Sequence, residues 1–273
     1  MSDIQANRRN PIARRRILKR ELAVRGAVSV AELSDLVGAS PVTIRRDLLA
    51  LEREGVAQRS YGGAAMRPVR PAEEALAVRE HRDVEEKRAV ARTALGLIKP
   101  GDTLFLNDGS TVMALARELA ATELELFIVT SAVNIAHVLI ENPRITVCLL
   151  GGFVRRTSLA TGGPFAESMV EQFNADLALL SCDGFGPTEG MSFMNSDDAA
   201  VSRRMAARAR RCVGLIIHNK FGRTARLTGV PIGEIDAIVT DAMPSDLAAK
   251  LARSDIDIVD ARRAAQRRGD ASH

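Results

Sequence analysis

Apolar residues recur at helical spacing through the first part of the chain. Three runs, 13–26, 29–39 and one that begins after Ser40, place them at intervals of three and four positions. The apolar positions are Ile17, Leu18 and Leu22, then Val30, Leu33, Leu36 and Val37, and then Ile44, Leu48 and Leu51. This pattern predicts three helices around one small core. The tight turn at 38–40 between the second and third helices predicts a helix–turn–helix.

The third helix carries a distinctive face opposite its apolar stripe. Ser40 is a good N-cap, and Pro41 suits the first helical position. At about 100° per residue, the face opposite the stripe holds Val42, Thr43 and Arg46, with Arg45 on its flank. Valine and threonine can contact thymine methyl groups, and arginine can bind guanine or phosphate. The face therefore suits the major groove of DNA.

A glycine turn follows this helix. Arg59 and Tyr61 precede Gly62 and Gly63 in the stretch 56–64, which predicts a short β wing that contacts the DNA backbone. The alternative is a small three-helix bundle with a solvated basic face. Capping, spacing, turn and wing together favour the winged helix–turn–helix.

Strand and helix patterns alternate in the rest of the chain, after a proline-containing segment at 66–74. A long amphipathic helix is predicted over 83–98. The predicted strands are 103–108, 124–131, 145–152, 177–184, 212–219 and 237–241, and the helices between them are 112–120, 132–142, 164–173 and 197–210. This alternation predicts a Rossmann-like α/β domain with a parallel sheet covered on both faces.

Small and polar residues follow several of these strands, at the edge where such sheets bind ligands. Gly109 lets the backbone approach a ligand, and Ser110 and Thr111 place hydroxyls beside the free N–H groups of a helix start. This turn predicts a phosphate or carboxylate site, the alternative being a capped turn without a ligand. The other predicted effector contacts are Asp108, Thr130, Ser131, Gly151, Gly152, Asp183 and Lys220. Lys220 could equally be a solvated loop lysine.

Charge is distributed unevenly along the chain. Residues up to Arg70 include 14 Lys and Arg against 7 Asp and Glu, a net charge of +7, whereas the whole chain carries +4. A basic end on a mildly acidic body indicates that only the first part meets a polyanion. The Walker phosphate loop and the dinucleotide G-x-G-x-x-G pattern do not occur in the sequence, which disfavours nucleotide hydrolysis and NAD binding.

Cysteine and histidine usage argues against a disulfide framework and against zinc. Cys148, Cys182 and Cys212 are odd in number and far apart, and the four histidines form no ligand set with them. We therefore expect no cofactor and no metal. The polar N-terminus and the lack of a run of about 18 apolar residues predict a cytoplasmic protein without a membrane contact.

The stretch that identifies a family is VSVAELSDLVGASPVTIRRDLLALEREGVAQRSYGGA at 28–64. It resembles the winged helix–turn–helix of the DeoR family of transcription regulators, with its T-I-R-R-D-L helix and glycine wing; Tyr61 stands where the family usually has histidine. The resemblance covers about residues 10–260. The family's D-S-G-T-T loop matches 107–111, and Leu149–Gly152 matches its LLGG. Two positions depart from the family pattern: Ile217 replaces an acid, and Ser202 replaces a lysine.

The resemblance implies a sensor domain similar to ribose-5-phosphate isomerase and coenzyme A transferases, which binds a phosphorylated sugar or related metabolite. We predict a winged domain at 1–64, a linker at 65–82, an effector-binding and oligomerisation domain at 83–262 and a disordered basic tail at 263–273. The predicted function is repression of a carbohydrate-metabolism operon by a homo-oligomer, a dimer or tetramer, that binds a double-stranded operator. The alternatives are an isomerase-like or acyl-transfer enzyme with a DNA-binding extension, and a regulator whose second domain is only a scaffold.

Overall fold

The computed structural model describes residues 11–25, 27–53, 57–60, 63–66, 76–251 and 254–262. The chain forms two compact units, Met1–Ala72 and Glu73–His273. Gly55, Tyr61, Gly62 and the predicted tail at 263–273 lie outside the described residues.

The first unit is a winged helix–turn–helix, as the sequence predicts. In chain order its elements are α1 (Pro11–Arg25), β1 (Ala27–Ser29), α2 (Val30–Val37), α3 (Pro41–Arg53), β2 (Ala57–Ser60) and β3 (Gly63–Met66). The three strands form an antiparallel sheet in the order β1-β3-β2. The helices enclose a core of Leu18, Leu22, Val28, Val30, Leu33, Val37, Ile44, Leu48 and Leu51.

Local capping fixes the helix ends of this unit. Ser29 and Glu32 form a capping box at the start of α2. Gly38 ends α2 in the left-handed conformation at φ 62°, which glycine adopts without steric cost. The chain then turns at once into α3, where the Ser40 hydroxyl accepts a hydrogen bond from the Thr43 backbone N–H at 3.3 Å.

The second unit is built on a seven-stranded parallel sheet. Its elements are α4 (Leu76–Glu80), α5 (Val84–Leu95), β4 (Thr103–Leu106), α6 (Ser110–Ala120), β5 (Leu126–Thr130), α7 (Val133–Leu139), β6 (Ile145–Leu149), β7 (Phe153–Arg155), β8 (Ala160–Gly162), α8 (Pro164–Val170), β9 (Ala175–Leu180), β10 (Gly184–Gly186), β11 (Gly190–Phe193), α9 (Ser196–Ala207), β12 (Ala209–Leu215), β13 (Leu227–Val230), β14 (Ala237–Thr240), α10 (Ser245–Leu251) and β15 (Asp257–Asp260). The strand order is β15-β14-β12-β9-β4-β5-β6, and every pair is parallel.

Both faces of this sheet are buried, which explains its continuous apolar strands. Leu104 and Leu106 of β4 point to one face, which α5, α6 and α7 cover, whereas Phe105 points to the other, which α8, α9 and α10 cover. The same alternation repeats in β9 and β12. The predicted doubly covered parallel sheet is therefore confirmed.

Several elements differ from the sequence prediction. The hairpin β7–β8, the small antiparallel sheet β10-β11-β13, α10 and β15 were not predicted. The predicted strand 177–184 ends at Leu180, because the Asp183 backbone N–H donates to Ser192 O and draws the chain into the small sheet. The predicted strand 212–219 ends at Leu215, and a single 3₁₀ turn, His218–Lys220, follows it.

The predicted linker at 65–82 also differs from the structure at both ends. Strand β3 extends to Met66, because Ala65 pairs with Ala27 of β1. Helix α4 lies inside the predicted linker and packs on the second unit, since Leu76 is buried and its backbone N–H donates to Thr157 O at 2.9 Å.

Candidate functional sites

Helix α3 presents the predicted face outward. Its core residues Ile44, Leu48 and Leu51 are at most 1% exposed, whereas Val42 is 72% exposed. Arg45 and Arg46 are exposed as well. Thr43 is half-buried, and its hydroxyl lies 2.9 Å from that of Ser40. The helix thus offers an apolar methyl surface and two guanidinium groups to a partner.

Asp47 has a role in this unit that the sequence interpretation missed. It lies on α3 beside the apolar stripe and is buried together with Arg14 of α1. Arg14 Nε donates to Asp47 Oδ2 at 2.5 Å, and Arg15 Nε lies 3.8 Å from Asp47 Oδ1. The pair joins α3 to α1. The sequence did contain a signal for this pair. Asp47 is a single acid on the buried side of α3, and α1, earlier in the chain, is rich in arginine.

The wing residues are described only in part. Arg59 lies on β2, where it pairs with Ala64 of β3. Tyr61 lies outside the described residues. The wing itself, two short antiparallel strands after α3, is present as predicted.

A narrow polar pocket opens at the carboxyl ends of the central strands β4 and β9 in the second unit. It is lined by Arg79, Asp108, Ser181, Cys182, Asp183, Phe193 and Asp198. Two of the predicted contacts, Asp108 and Asp183, meet here. Arg79 from α4 and Asp198 from the start of α9 were not predicted.

Three carboxylates and two arginines determine the electrostatics of this pocket. Arg155 Nη1 donates to Asp198 Oδ2, and Arg79 Nη1 lies 3.9 Å from Asp183 Oδ1. Burial raises the pKa of Asp108 to about 8; the charge of Asp198 and, more weakly, that of Asp183 add to the rise, while Arg79 and Arg155 oppose it. Asp108 therefore holds a proton at neutral pH.

The Asn107 side chain connects the ends of β4 and β9 next to the polar pocket. Its amide donates to Ser181 O and to the Ser202 hydroxyl, each at 2.9 Å, and its carbonyl accepts from the Ser181 N–H at 3.0 Å. Gly109 is needed beside this contact, because a Cβ there would lie 3.0 Å from the Ser181 Cβ. The two strand ends are thus held in close register.

The turn at 109–111, which the sequence predicts to bind an anion and which we call the anion turn, does lie at the start of a helix. Helix α6 begins at Ser110, and its N-cap residue is Gly109, which has no side chain to cap the helix. Ser110 and Thr111 are both buried. The turn lies directly after Asp108, so it adjoins the polar pocket in the chain.

The remaining predicted contacts lie elsewhere along the same edge. The Thr130 hydroxyl accepts from the Ala132 N–H within its own turn. Ser131 O accepts from the Thr161 N–H and hydroxyl and so contacts β8 of the hairpin. Gly151 and Gly152 line a separate apolar depression with Phe165 and Met169.

Lys220 lies in the 3₁₀ turn and is half-buried. Its positive charge lowers the pKa of the Cys182 thiol, although burial is the stronger effect and raises that pKa to about 12. The charge of Lys220 is therefore close enough to influence Cys182, one of the residues that line the polar pocket. The Cys182 thiol itself is not reactive at neutral pH.

All three cysteines are free thiols. Within the described ranges, no three His, Cys, Asp or Glu side chains are placed to hold a metal ion. No helix in the part of the chain that the structure describes has the length and apolar character needed to cross a bilayer.

Two family models match the chain, one for each unit. The model described as "DeoR-like helix-turn-helix domain" matches residues 14–68, and the model described as "DeoR C terminal sensor domain" matches residues 82–242.

Curated relatives match over most of their length. The putative aga operon transcriptional repressor of Escherichia coli O157:H7 is 31% identical over 249 residues, which cover 90% of this chain and 92% of the relative. The HTH-type transcriptional repressor CsqR of Escherichia coli K12 is 32% identical over 239 residues, covering 87% and 91%. The glycerol-3-phosphate regulon repressor of the same strain is 31% identical over 219 residues, covering 80% and 86%.

Solved structures give weaker similarity. A probable sor operon regulator from Shigella flexneri is 13% identical with a TM-score of 0.42, covering 63% of this chain and 89% of its own. Ribose 5-phosphate isomerase A from Neisseria gonorrhoeae is 14% identical with a TM-score of 0.38, covering 52% and 54%. Because both scores are low, the fold assignment rests on the strand order and the family models.

Proposed function

This chain belongs to the DeoR family of transcription regulators, and on that premise we propose that it represses a carbohydrate-metabolism operon and leaves its operator when a phosphorylated sugar or related metabolite binds the sensor unit. The prediction of a DNA-binding regulator rather than an enzyme is confirmed by both family models and by the curated relatives. The operon class, the effector and the direction of control are the proposed part.

The observation that carries the DNA half of the proposal is the exposed face of α3. A capped helix that buries Ile44 and Leu48 and exposes Val42, Arg45 and Arg46 has the shape and chemistry of a major-groove recognition helix. The wing strand β2 carries Arg59 as a further cation for the phosphate backbone. Double-stranded DNA is therefore the partner of the first unit.

The effector half is supported by the strand-end pocket. Parallel α/β sheets bind ligands beyond the carboxyl ends of their central strands, and the polar pocket lies there between β4 and β9. The free N–H groups of α6 at Gly109–Thr111 favour an anion, and a neutral Asp108 beside them does not repel one. A phosphorylated, hydroxyl-rich metabolite fits these groups.

Two linked measurements test this function. First, an operator is selected from random DNA duplexes with the full chain. Sugar phosphates and the matching unphosphorylated sugars are then screened for a rise in melting temperature and for release of that operator. A ligand at 100 times its dissociation constant stabilises a protein by about 2.7 kcal/mol. If no compound changes either quantity, the second unit is a scaffold and the effector half of the proposal is wrong.

The proposed anion turn has its own test. Replacing Ser110 and Thr111 together by alanine removes both hydroxyls beside the start of α6. We expect DNA binding without effector to persist, because α3 is unchanged, and release to need a higher effector concentration. Release at the parent concentration would place the anion elsewhere.

We further propose that the protein acts as a homo-oligomer, a dimer or tetramer. One recognition helix contacts too few base pairs for a genomic site, so regulators of this kind pair their helices. The second unit also exposes apolar side chains near β7: Phe153 at 77% and Phe165 at 65%, with ring centroids 6.4 Å apart. Exposed apolar patches of this kind mark interfaces, and we assign this one to a second copy of the chain.

Light scattering at micromolar concentration tests the assembly. The double replacement Phe153→Ser with Phe165→Ser should lower the mass of the assembly, whereas Ile140→Ser, at an exposed position directly after α7, should not. A monomeric parent protein would contradict the proposal.

The free cysteines fit a reducing compartment, and we propose the cytoplasm as the site of action.

A further inference from the structure

Arg79 is the one arginine of the polar pocket that comes from α4, in the stretch predicted to be a linker. We propose that Arg79 binds the anionic group of the effector. The proposal rests on the proposed function in one respect, namely that the sensor unit binds a phosphorylated ligand in this pocket. It adds the residue that supplies the charge.

The first observation is that the Arg79 guanidinium is buried but incompletely used. Its side chain is 14% exposed. Its Nε atom is buried and has no hydrogen-bond partner among the described residues. An unsatisfied buried donor is costly, and such groups need an explanation in a folded protein. A phosphate oxygen in the pocket would satisfy this donor.

The second observation concerns the contact between Arg79 and Asp183. Their closest N···O separation is 3.9 Å, which is too long for a hydrogen bond. Asp183 Oδ2 is held independently, because it accepts from the Met194 backbone N–H at 2.8 Å. Arg79 is therefore not required to position Asp183. Its guanidinium can turn to a ligand without releasing that carboxylate.

Arg155, the second arginine near the pocket, already binds a carboxylate. Arg155 donates to Asp198. Of these two cations, Arg79 thus has the weaker carboxylate contact. Guanidinium groups bind phosphate through two parallel N–H donors, which suits the unused Nε together with a terminal nitrogen.

The backbone of α4 is held by hydrogen bonds, whereas the Nε donor of Arg79 is unused. Lys87 is buried, and its Nζ donates to Arg79 O at 2.5 Å and to Arg82 O. Leu76 N–H donates to Thr157 O at the other end of the helix. The guanidinium is thus presented from a fixed backbone. A fixed backbone with a free side-chain donor is the arrangement of a preorganised binding residue.

Inorganic phosphate is a suitable probe, because it carries the proposed anionic group alone. The full chain is melted in potassium phosphate and in potassium chloride of equal ionic strength. For the parent protein, phosphate at ten times its dissociation constant should raise the melting temperature of the sensor unit by about 3–5 °C. Arg79→Gln should weaken phosphate binding at least about tenfold, the loss of one charge-assisted contact.

Two further variants separate binding from structure. Arg79→Lys keeps the charge and should recover part of the phosphate affinity. Arg88→Gln removes an exposed arginine of α5 whose partner is Glu85, and it should bind phosphate like the parent. Equal phosphate shifts in the parent and in Arg79→Gln, or no shift in the parent, would overturn the proposal.

The same samples distinguish this failure from failure of the proposed function. Operator binding depends on α3, so Arg79→Gln should bind the selected duplex like the parent. A parent that binds the operator but shows no Arg79-dependent phosphate effect contradicts only the inference. A parent that selects no duplex contradicts the proposed function.

Discussion

The buried ion pair between Arg14 and Asp47 allows a sharp test of how the recognition helix is held. Both side chains are 7% exposed, and Arg14 Nε lies 2.5 Å from Asp47 Oδ2. Replacing Asp47 by alanine removes the carboxylate that both Arg14 and Arg15 approach, while the arginine charge stays buried. Removing one partner of a buried pair costs about 3–5 kcal/mol.

That cost is large for a unit of this size. Small domains have a total stability of about 5–15 kcal/mol. In a domain of roughly 60–100 residues, 1 kcal/mol shifts the melting temperature by about 4–8 °C. Asp47→Ala should therefore lower the transition of the first unit by at least about 12 °C. Calorimetry of the full chain measures this, and the transition of the first unit is the one that operator DNA raises.

Asp35→Ala is the matched control, since Asp35 is an exposed acid on α2 of the same unit. Its transition should stay near that of the parent. The joint replacement Arg14→Met with Asp47→Leu should recover most of the lost stability, because an apolar pair of similar volume often replaces a buried ion pair without loss. If Asp47→Ala melts like Asp35→Ala, the ion pair does not hold α3 and the reasoning is refuted.

Three other predictions concern DNA, effector and pH. Arg46→Ala should weaken operator binding by about 1–3 kcal/mol and relax sequence preference, whereas Arg59→Ala should weaken all duplexes about equally; anisotropy on operator and random DNA measures both. Lys220→Ala should raise the effector concentration needed for operator release, and an unchanged titration would make it a solvated loop lysine. Folded Asp108 keeps its proton up to about pH 8, whereas the unfolded chain loses it near 3.8. Unfolding thus releases a proton, so stability falls as pH rises between these values, and Asp108→Asn should flatten that slope in melting curves.

Local signals were sufficient to predict the first unit from the sequence. Ser29 with Glu32, Gly38, and Ser40 with Pro41 each determine a helix end through contacts within a few residues. The central strands of the sheet were also predictable, because strands buried on both faces are continuous apolar runs. In both cases the information lies in one short stretch of chain.

The small sheet β10-β11-β13 could not be predicted in this way. Its strands have three or four residues. They contain glycines that are required because residues far away in the chain pack against them. Gly190 has φ 80°, and a Cβ there would lie 2.3 Å from Val230 O, forty residues along the chain. Nothing in the sequence around Gly190 indicates that contact.

The polar pocket likewise combines residues that the sequence could predict with residues that it could not. Asp108 and Asp183 lie at the carboxyl ends of the predicted strands 103–108 and 177–184, so the rule for strand ends brought them together. Arg155 lies in an unpredicted hairpin and Arg79 in a segment predicted to be a linker, so neither could be placed. Thr130 followed the same rule as Asp108, but its hydroxyl accepts from its own turn. A strand end therefore predicts proximity to a site more reliably than contact with a ligand.

Two neutral side chains meet near the polar pocket at positions where the family pattern has charged residues. Asn107 stands at the first position of the family's D-S-G-T-T loop, and Ser202 stands where the family usually has lysine. Their side chains meet at 2.9 Å in a buried hydrogen bond. This neutral pair leaves no charge buried and unmatched at the joined strand ends. Because this pair carries no charge and the Asn107 amide already donates to Ser181 O and Ser202, it supplies no positive charge for an anion. Under the proposed function, the charge for a phosphorylated ligand then comes from other elements, and among the described residues that line the polar pocket Arg79 is the one cation.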